Sequence, residues 1–273
     1  MKRGGFSLAE LLIVIGIVAL LAALLFPVIQ NAREGGRRTQ CLAQMHQLGQ
    51  SVLAYLADFN ETYPMAAYVQ HYTHNSTCLF TLYHELVPYI RDKRIVVCPS
   101  DGCPVNVARA FAAFMPLCPA MGFEESSYMA NWCLFEVGVL LPWLPQPHQV
   151  IAASAVEYPE QTVAFFDAVM VPPPSLMPLV QGRHHEVAVA NFADGHSRPL
   201  RTRRTSMTVS RADGGTAHVY CLLEVGPYYS GDGLCVETPY GLASQRRDGS
   251  WCRRCPGRPR ESRWYIPSSC GDS

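Results

Sequence analysis

An uncharged apolar segment near the N-terminus constrains this chain more than any other feature. It runs from Leu11 to Ile29, which is 19 residues. As a helix it would be about 28 Å long, close to the thickness of about 30 Å of a membrane hydrocarbon core. Lys2 and Arg3 precede it, and basic residues stay on the cytoplasmic side. The segment therefore predicts one membrane helix with its N-terminus cytoplasmic and the rest of the chain exported.

A single carboxylate, Glu10, lies at the start of this apolar stretch. A cleaved signal peptide also begins with basic residues followed by an apolar run. Here the run is long for a signal peptide, and no small-residue cleavage site ends it. A carboxylate inside an apolar segment is also costly and therefore usually functional. These features argue against a cleaved signal peptide and favour a retained membrane helix in which Glu10 has a role.

The first fifteen residues contain a recognisable leader. Residues 2–15 read KRGGFSLAELLIVI and resemble the class III leader of type IV prepilins and type II secretion pseudopilins. The resemblance implies that a prepilin peptidase cuts between Gly5 and Phe6 and that Phe6 is then methylated. It also implies that Glu10 pairs with the N-terminal amine of a neighbouring subunit during assembly. The expected location is the inner membrane, with the head periplasmic or extracellular.

A second helical pattern follows the membrane segment. Apolar residues recur at steps of three and four from residue 41 to residue 59, which predicts an amphipathic helix with one buried stripe. Gly35 and Gly36 suggest a hinge before it, and Pro27 suggests either a kink or a tolerated membrane proline. Asn60 and the Tyr63–Pro64 pair are expected to end the helix. The stripe consists of Cys41, Leu42, Met45, Leu48, Val52, Tyr55, Leu56 and Phe59.

The head carries four further motifs in a fixed order. They are residues 98–101 (CPSD), residues 126–131 (SSYMAN), residues 159–167 (PEQTVAFFD), and His184 followed after nine residues by Asp194-Gly195. Together they resemble the H-X9-DG domains of large pilin-like proteins, although His185-Glu186 stands where that family often has glycine. The resemblance assigns no role to the signature residues His184, Asp194 and Gly195.

These motifs predict an α+β, pilin-like fold, in which one long N-terminal helix packs on an antiparallel sheet. The sheet should include residues 163–166 and 187–192, and Asp194-Gly195 should close a hairpin after the second of these strands. Ile95-Val96-Val97 reads as a short strand, and further strands are expected at residues 207–210 and 217–225.

A metal site and a structural role compete for the polar residues near the signature. Imidazole and carboxylate suit zinc or manganese. However, a strand of seven residues would separate His184 from Asp194 by about 20 Å. The spacing favours a structural role, in which His184 caps a loop by hydrogen bonding, and predicts no metal and no cofactor. The residues considered were Asp167, His184, Asp194 and His196.

Eleven cysteines are an unusual load for a cytosolic protein, and export makes disulfides the default. Cys98 is interpreted as a half-cystine or buried core cysteine rather than a nucleophile, because no catalytic signature surrounds it. Cys252 and Cys255 form a C-x-x-C pair. Disulfides are favoured there over a zinc knuckle, because a second close pair is missing.

Charge and motif positions divide the chain into four parts. These are a leader (1–5), a transmembrane helix (6–30), a head (31–200) and a Cys/Arg-rich extension (201–273). Residues 198–273 hold 12 Arg and no Lys against 7 acidic residues. Arginine interleaved with Trp251 and Trp264 suggests DNA contact, although a solvated basic tail is the more favoured interpretation.

Three classes of function follow from this reading. The favoured one is a structural pilin or pseudopilin subunit, minor or accessory because its head is large, whose partners are the peptidase, other subunits and the inner membrane. The alternative is a membrane-anchored module of a competence-type pilus that contacts DNA through the basic tail. An enzyme is the least favoured class.

Overall fold

The computed structural model begins with one long helix, α1 (Leu8–Asp58), of 51 residues. Ser7 is its N-cap and forms a capping box with Glu10, the third residue of the helix. The structure describes residues 7–73, 76–112, 115–119, 122–131, 134–135, 150–156, 159–160, 162–171 and 178–222.

The helix is continuous from membrane segment to head. It remains helical through Pro27 and through Gly35 and Gly36, so the hinge suggested by the glycine pair is not present. A Cβ added at either glycine would meet nothing within 4 Å. These glycines therefore lie on an open face of an intact helix, where neighbouring residues maintain the backbone hydrogen bonds.

The two halves of α1 have opposite environments. Its first half is long and apolar enough to cross a membrane and is exposed, with none of the other described residues packed against it. Its second half buries the predicted stripe, including Met45, Leu48 and Val52.

One member of the stripe was predicted wrongly, because Phe59 is 47% exposed. Phe59 is the C-cap residue beyond the last helical turn, so it leaves the buried face and stacks its ring on Tyr55.

The end of α1 follows the sequence expectation. The helix stops at Asp58, and Asn60 and Glu61 take left-handed backbone conformations with φ of 52° and 56°. Left-handed residues are common immediately after a helix because they allow capping of the last carbonyl groups. Glu61 N–H donates to the carbonyl of Leu56, and the chain then enters the head.

Within its described residues the head contains ten strands and two short α-helices, α2 (Leu82–Leu86) and α3 (Val107–Phe111). Ile95 and Val96 belong to a 3₁₀ helix, Lys93–Val96, rather than to the strand predicted from their apolar run. Short apolar runs are ambiguous between strand and buried helix, and burial of both residues explains the pattern.

The strands are β1 (Ala67–Thr73), β2 (Ser76–Thr81), β3 (Val105–Asn106), β4 (Glu125–Ser126), β5 (Tyr128–Ala130), β6 (Val163–Met170), β7 (Pro178–Val180), β8 (Val187–Phe192), β9 (Ser197–Ser210) and β10 (Thr216–Leu222).

Six of these strands form the main sheet on which α1 packs. Its order is β10-β9-β8-β6-β5, with β7 also paired to β6, and all of these pairs are antiparallel. The predicted strands 163–166 and 187–192 lie side by side as β6 and β8. The α+β fold, a long N-terminal helix followed by an antiparallel sheet, is therefore confirmed.

The two strands expected near the C-terminal extension pair with each other as β9 and β10. β9 is 14 residues long and runs through position 200, so the boundary proposed there falls inside a strand. Residues 201–222 thus belong to the sheet of the head. The rest of the extension, including Cys252 and Cys255, lies outside the described residues.

Helix and sheet approach each other closely at Gly49. A Cβ built there would lie 2.3 Å from Nδ2 of Asn191 in β8. Both residues are fully or almost fully buried. Glycine is therefore needed at this position because the Asn191 amide occupies the space of a side chain.

We expect Gly49→Ala to lower the free energy of unfolding by about 1–2 kcal/mol, because overpacking costs more than the gain in helix propensity. Gly36→Ala is the matched control on the open face of the same helix, and it should raise that free energy by about 0.5–1 kcal/mol. Denaturant unfolding of the full chain in detergent, followed by near-ultraviolet circular dichroism, measures both. Equal effects of the two substitutions would contradict this account of the helix–sheet contact.

Candidate functional site at the helix–head contact

Side chains from all four head motifs converge with α1 in one buried polar group. It joins the helix to the CPSD, SSYMAN and PEQTVAFFD motifs and to the start of the H-X9-DG signature. We call this group the seam cluster. Its members are Glu34, Cys41, Cys98, Ser100, Asp101, Ser127, Asp167, Arg183 and His184.

Arg183 lies at the centre of the seam cluster with its side chain only 8% exposed. Its Nη1 donates to Oδ1 of Asp167 at 2.9 Å and to the carbonyl of Ser127 at 3.0 Å. Its Nη2 donates to the carbonyl of Ala168 at 2.8 Å and lies 3.0 Å from Oδ2 of Asp101. One guanidinium thus joins three chain segments, which its planar array of donors allows.

Asp167 is the fully buried carboxylate of this group. Burial raises its pKa, and the positive charge of Arg183 opposes that shift. Its second oxygen, Oδ2, accepts a 2.8 Å hydrogen bond from the backbone N–H of Val189 in β8. A buried carboxylate is stable only when paired and hydrogen-bonded, and Asp167 meets both conditions.

His184 connects the signature to the helix. Its Nδ1 lies 2.6 Å from Oε1 of Glu34, and Ser100 donates to the same oxygen at 2.7 Å. Partial burial alone would raise the pKa of Glu34, but the hydrogen bonds from Ser100 and His184 lower it below its ordinary value. Glu34 therefore attaches α1 to two head motifs through one carboxylate oxygen.

A disulfide between Cys41 and Cys98 attaches the same part of α1 covalently. Cys98 N–H donates to Oγ of Ser127 at 3.0 Å, and Cys98 Sγ lies 3.4 Å from Nε2 of His184. Cys98 is thus a half-cystine with no free thiol for nucleophilic attack. A second disulfide joins Cys78 to Cys118, so the disulfide prediction is confirmed for these four cysteines.

The other end of the signature contacts α1 farther along its length. Gly195 has φ of +91°, and a Cβ there would lie 2.7 Å from the side chain of Leu53. The Gly195 carbonyl accepts hydrogen bonds from Nδ1 of His46 and Nδ2 of Asn191, both at 3.0 Å. Asp194 accepts from the N–H of His196 within the turn. Glu34 and Leu53 are about 28 Å apart along a helix, so the signature contacts α1 at two well-separated positions along the helix.

The four residues considered as a metal site form two separate pairs. His184 Nε2 lies 3.9 Å from Asp167 Oδ2 before β8, and His196 Nδ1 lies 2.6 Å from Asp194 Oδ1 after it. Strand β8 separates the pairs, as the sequence spacing predicted. These four side chains therefore do not gather around one ion.

The loop between His184 and β8 has an uncommon backbone. His185 and Glu186 both have positive φ, 53° and 62°, at the position where the resembled family often has glycine. The loop is fixed by Thr202, whose N–H and Oγ1 both donate to the Glu186 carbonyl at 2.8 Å and 2.7 Å. Left-handed conformations cost other residues about 1–2 kcal/mol relative to glycine, so this strain is maintained by the surrounding contacts.

We expect His185→Gly to raise the free energy of unfolding by about 1 kcal/mol, because it relieves the left-handed strain at some cost in chain entropy. His185→Ala is the control, since it removes the imidazole but keeps the Cβ and should give no gain. Thermal unfolding of both variants in the same detergent provides the comparison. A stabilised Ala variant would assign the effect to the side chain instead of the backbone.

Sequence reasoning missed Glu34, Asp101 and Arg183 as members of this site. Two features of the sequence pointed weakly to these residues. Glu34 is the only acidic residue between Glu10 and Asp58, and Arg183 is the only Lys or Arg between Arg109 and Arg198. Isolated charges beside apolar segments are candidates for buried pairs, but the seam-cluster partners of Glu34 and Arg183 lie between 16 and 150 positions away.

The proposed processing and tail residues lie largely outside the described part of the chain. Gly5 and Phe6 are among them, as are Trp251, Trp264 and the arginines from residue 246 onward. Glu10 is described: its Oε2 accepts hydrogen bonds from the N–H and Oγ of Ser7, both at 2.8 Å. The carboxylate thus bonds to its own first helical turn in the single chain.

Comparison with known proteins gives one partial match. The model of a family described as proteins of unknown function, DUF1559, matches residues 30–97. The matched residues, about a quarter of the chain, include the packed half of α1 and end just before the CPSD motif. That family is associated with prepilin-like proteins that carry an H-X9-DG motif. No curated protein and no solved structure matches the chain.

Proposed function

We propose that this chain is a non-enzymatic, pilin-like structural subunit that a prepilin peptidase processes between Gly5 and Phe6. Its N-terminal helix anchors it in the inner membrane, with the N-terminus cytoplasmic, and later packs among the helices of other subunits. The assembly is a type IV pilus or a type II secretion pseudopilus, in which this subunit is minor or accessory.

The observation that carries the proposal is the division of α1 into two environments. One continuous helix has an apolar half that is exposed among the described residues and a second half packed on an antiparallel sheet. A helix with an exposed apolar surface must be covered by lipid or by other helices. The same helix is suited to both states, because lipid covers it before assembly and neighbouring subunits cover it afterwards.

The seam cluster supports the structural part of the proposal. It attaches the head to α1 by a disulfide, by the Glu34–His184 pair and by the Arg183 network. The Asp194-Gly195 turn adds a second contact farther along. A subunit held by its helix must pass mechanical load to its head without pivoting. Two contacts at different positions along one helix would keep the head from pivoting.

Glu10 supports the assembly part of the proposal. Its carboxylate is exposed in the single chain and bonds only locally to Ser7 among the described residues. Cleavage after Gly5 would create a new amine one residue before Ser7. That amine and the Glu10 carboxylate of another subunit would each gain a charged partner in an apolar environment, where pairing matters most.

The mature N-terminus tests the proposal directly. In cells that contain a prepilin peptidase, we expect mass spectrometry of the purified chain to find an N-methylated Phe6 as its first residue. In cells without the peptidase the chain should keep Met1 to Gly5 and remain in the membrane. A chain that begins at Met1 in both strains, or after Ile29 as a secreted protein would, contradicts the proposal.

A further inference from the structure

Three strong metal-ligating side chains meet where the disulfide joins α1 to the head. Cys41, Cys98 and His184 bring their ligand atoms within 4.8 Å of one another. Each of the three residues is at most 1% exposed. Sulfur and imidazole nitrogen are the preferred ligands of zinc and related thiophilic ions. This trio differs from the four histidine and aspartate residues considered above, because it includes both sulfurs.

We propose that, when the Cys41–Cys98 disulfide is reduced, these two thiolates and the His184 imidazole bind one thiophilic divalent cation of the zinc type. The ion would occupy the position of the S–S bond and would join α1 to the head in place of it. The site therefore has two exclusive states, a disulfide and a metal complex, that use the same two sulfur atoms.

His184 is already oriented as a ligand. Its Nδ1 lies 2.6 Å from Oε1 of Glu34, while its Nε2 lies 3.4 Å from Cys98 Sγ. When Nδ1–H donates to the carboxylate, Nε2 carries the free lone pair on the side of the sulfurs. A carboxylate that accepts a hydrogen bond from the outer ring nitrogen commonly holds a zinc-binding histidine in position.

The distances suit a tetrahedral ion. Bonds of about 2.3 Å to sulfur and about 2.0–2.1 Å to nitrogen place the ligand atoms roughly 3.5–4 Å apart. The Nε2 to Cys98 Sγ separation of 3.4 Å is close to that value, and the sulfurs need only separate once their bond is broken. Oδ2 of Asp167, 3.9 Å from Nε2, or a water molecule can fill the fourth position.

The chemistry balances with a dithiol as reductant. The dithiol transfers two electrons and two protons to the disulfide, which becomes two thiols while the dithiol becomes a disulfide. Binding of the cation then displaces the two thiol protons. No reductant is needed in a newly made chain, because its cysteines are still thiols before they reach an oxidising compartment. An ion and an oxidant therefore compete for the same pair of sulfurs.

Exposed and partly buried residues border the site. The cluster lies at the contact between helix and head, where Glu34 is only partly buried and Pro99 and Gly102 are exposed. The Glu34 carboxylate lies at this edge, where its Oε2 is also 3.7 Å from a guanidinium nitrogen of Arg37. The same carboxylate then serves as the hydrogen-bond partner of the ligand His184.

The test uses the full chain in detergent, reduced with a dithiol, separated from the reductant without oxygen and titrated with Zn²⁺ and with Co²⁺. We expect the wild-type chain to bind one more equivalent of Zn²⁺ than the Cys41→Ser/Cys98→Ser variant. Since the two chains share every other cysteine, their difference reports this site alone. Co²⁺ should give sulfur charge-transfer and tetrahedral d–d bands that the double variant lacks.

Two single variants, one double variant and the oxidised chain complete the test. Glu34→Gln keeps the shape of the hydrogen-bond partner of His184 but not its charge, and it should weaken Zn²⁺ binding about 10–100-fold. His184→Gln should change the Co²⁺ spectrum. Cys252→Ser/Cys255→Ser is the control that should leave the difference unchanged. Equal stoichiometry in the wild type and the Cys41→Ser/Cys98→Ser variant would overturn the proposal. The same holds if the oxidised chain shows the same cobalt bands.

Discussion

Replacing Arg183 by methionine is expected to lower the free energy of unfolding of the head by about 3–5 kcal/mol. Methionine keeps much of the side-chain volume but leaves the fully buried carboxylate of Asp167 without its cation. It also removes hydrogen bonds to the carbonyls of Ser127 and Ala168. Denaturant unfolding of the full chain in detergent, followed by near-ultraviolet circular dichroism, measures the loss.

The loss should depend on pH in a defined direction. Burial already raises the pKa of Asp167, and removal of Arg183 raises it further. A carboxyl group with a raised folded-state pKa makes folding less favourable as pH rises from its unfolded value toward its folded value. The variant should therefore be closest to the wild type in acid, below the unfolded pKa of about 4, and differ most at higher pH.

A second substitution separates the unpaired charge from simple loss of packing. Adding Asp167→Asn to Arg183→Met removes the buried charge and should recover part of the lost stability. The stability of Arg183→Lys should fall between those of the wild type and Arg183→Met. Its ammonium group keeps the positive charge but cannot reproduce the planar array of donors of the guanidinium group. A change below about 0.5 kcal/mol for Arg183→Met, typical of surface positions, would mean that the network does not stabilise the head.

Substitutions at Gly5 and Glu10 are expected to abolish two different steps completely. Gly5→Trp should leave the leader attached, because a bulky residue at the scissile bond cannot extend into a membrane-embedded active site. Glu10→Val should be cut normally but fail to assemble, because it removes the carboxylate while making the helix more hydrophobic and so more stable in lipid. Mass spectrometry of the N-terminus reports cutting, and recovery of the chain in sheared fibres or in subunit complexes reports assembly.

The capping box seen at Ser7 provides a sharper control at the same position. Glu10→Gln keeps a side chain that can bond to the Ser7 N–H, as glutamine does at this helix position, but it has no charge. If assembly needs the ion pair, Glu10→Gln fails as Glu10→Val does. If Glu10→Gln assembles normally, the carboxylate serves the helix start rather than a neighbouring subunit, and the assembly part of the proposal is wrong.

Features encoded by local patterns were predictable from sequence. The length of the apolar run and the three- and four-residue steps that follow it depend only on helix geometry, and α1 has both. Strands β6 and β8 and the Asp194-Gly195 turn followed from similar local preferences. The local signals were wrong where tertiary packing overrides them. Ile95 and Val96 form a 3₁₀ turn, and the helix passes through Gly35 and Gly36 without a break.

The seam cluster was decided only by the tertiary structure. The sequence placed its motifs in order and determined that His184 and Asp194 lie at opposite ends of a strand. It contained no information that Glu34 would meet His184, 150 positions away, or that Arg183 would join Asp101 and Asp167. Pairing of buried charges is not a periodic property of a chain. It is set by which surfaces fold against each other, and here α1 and β8 together determine which partners each charge can reach.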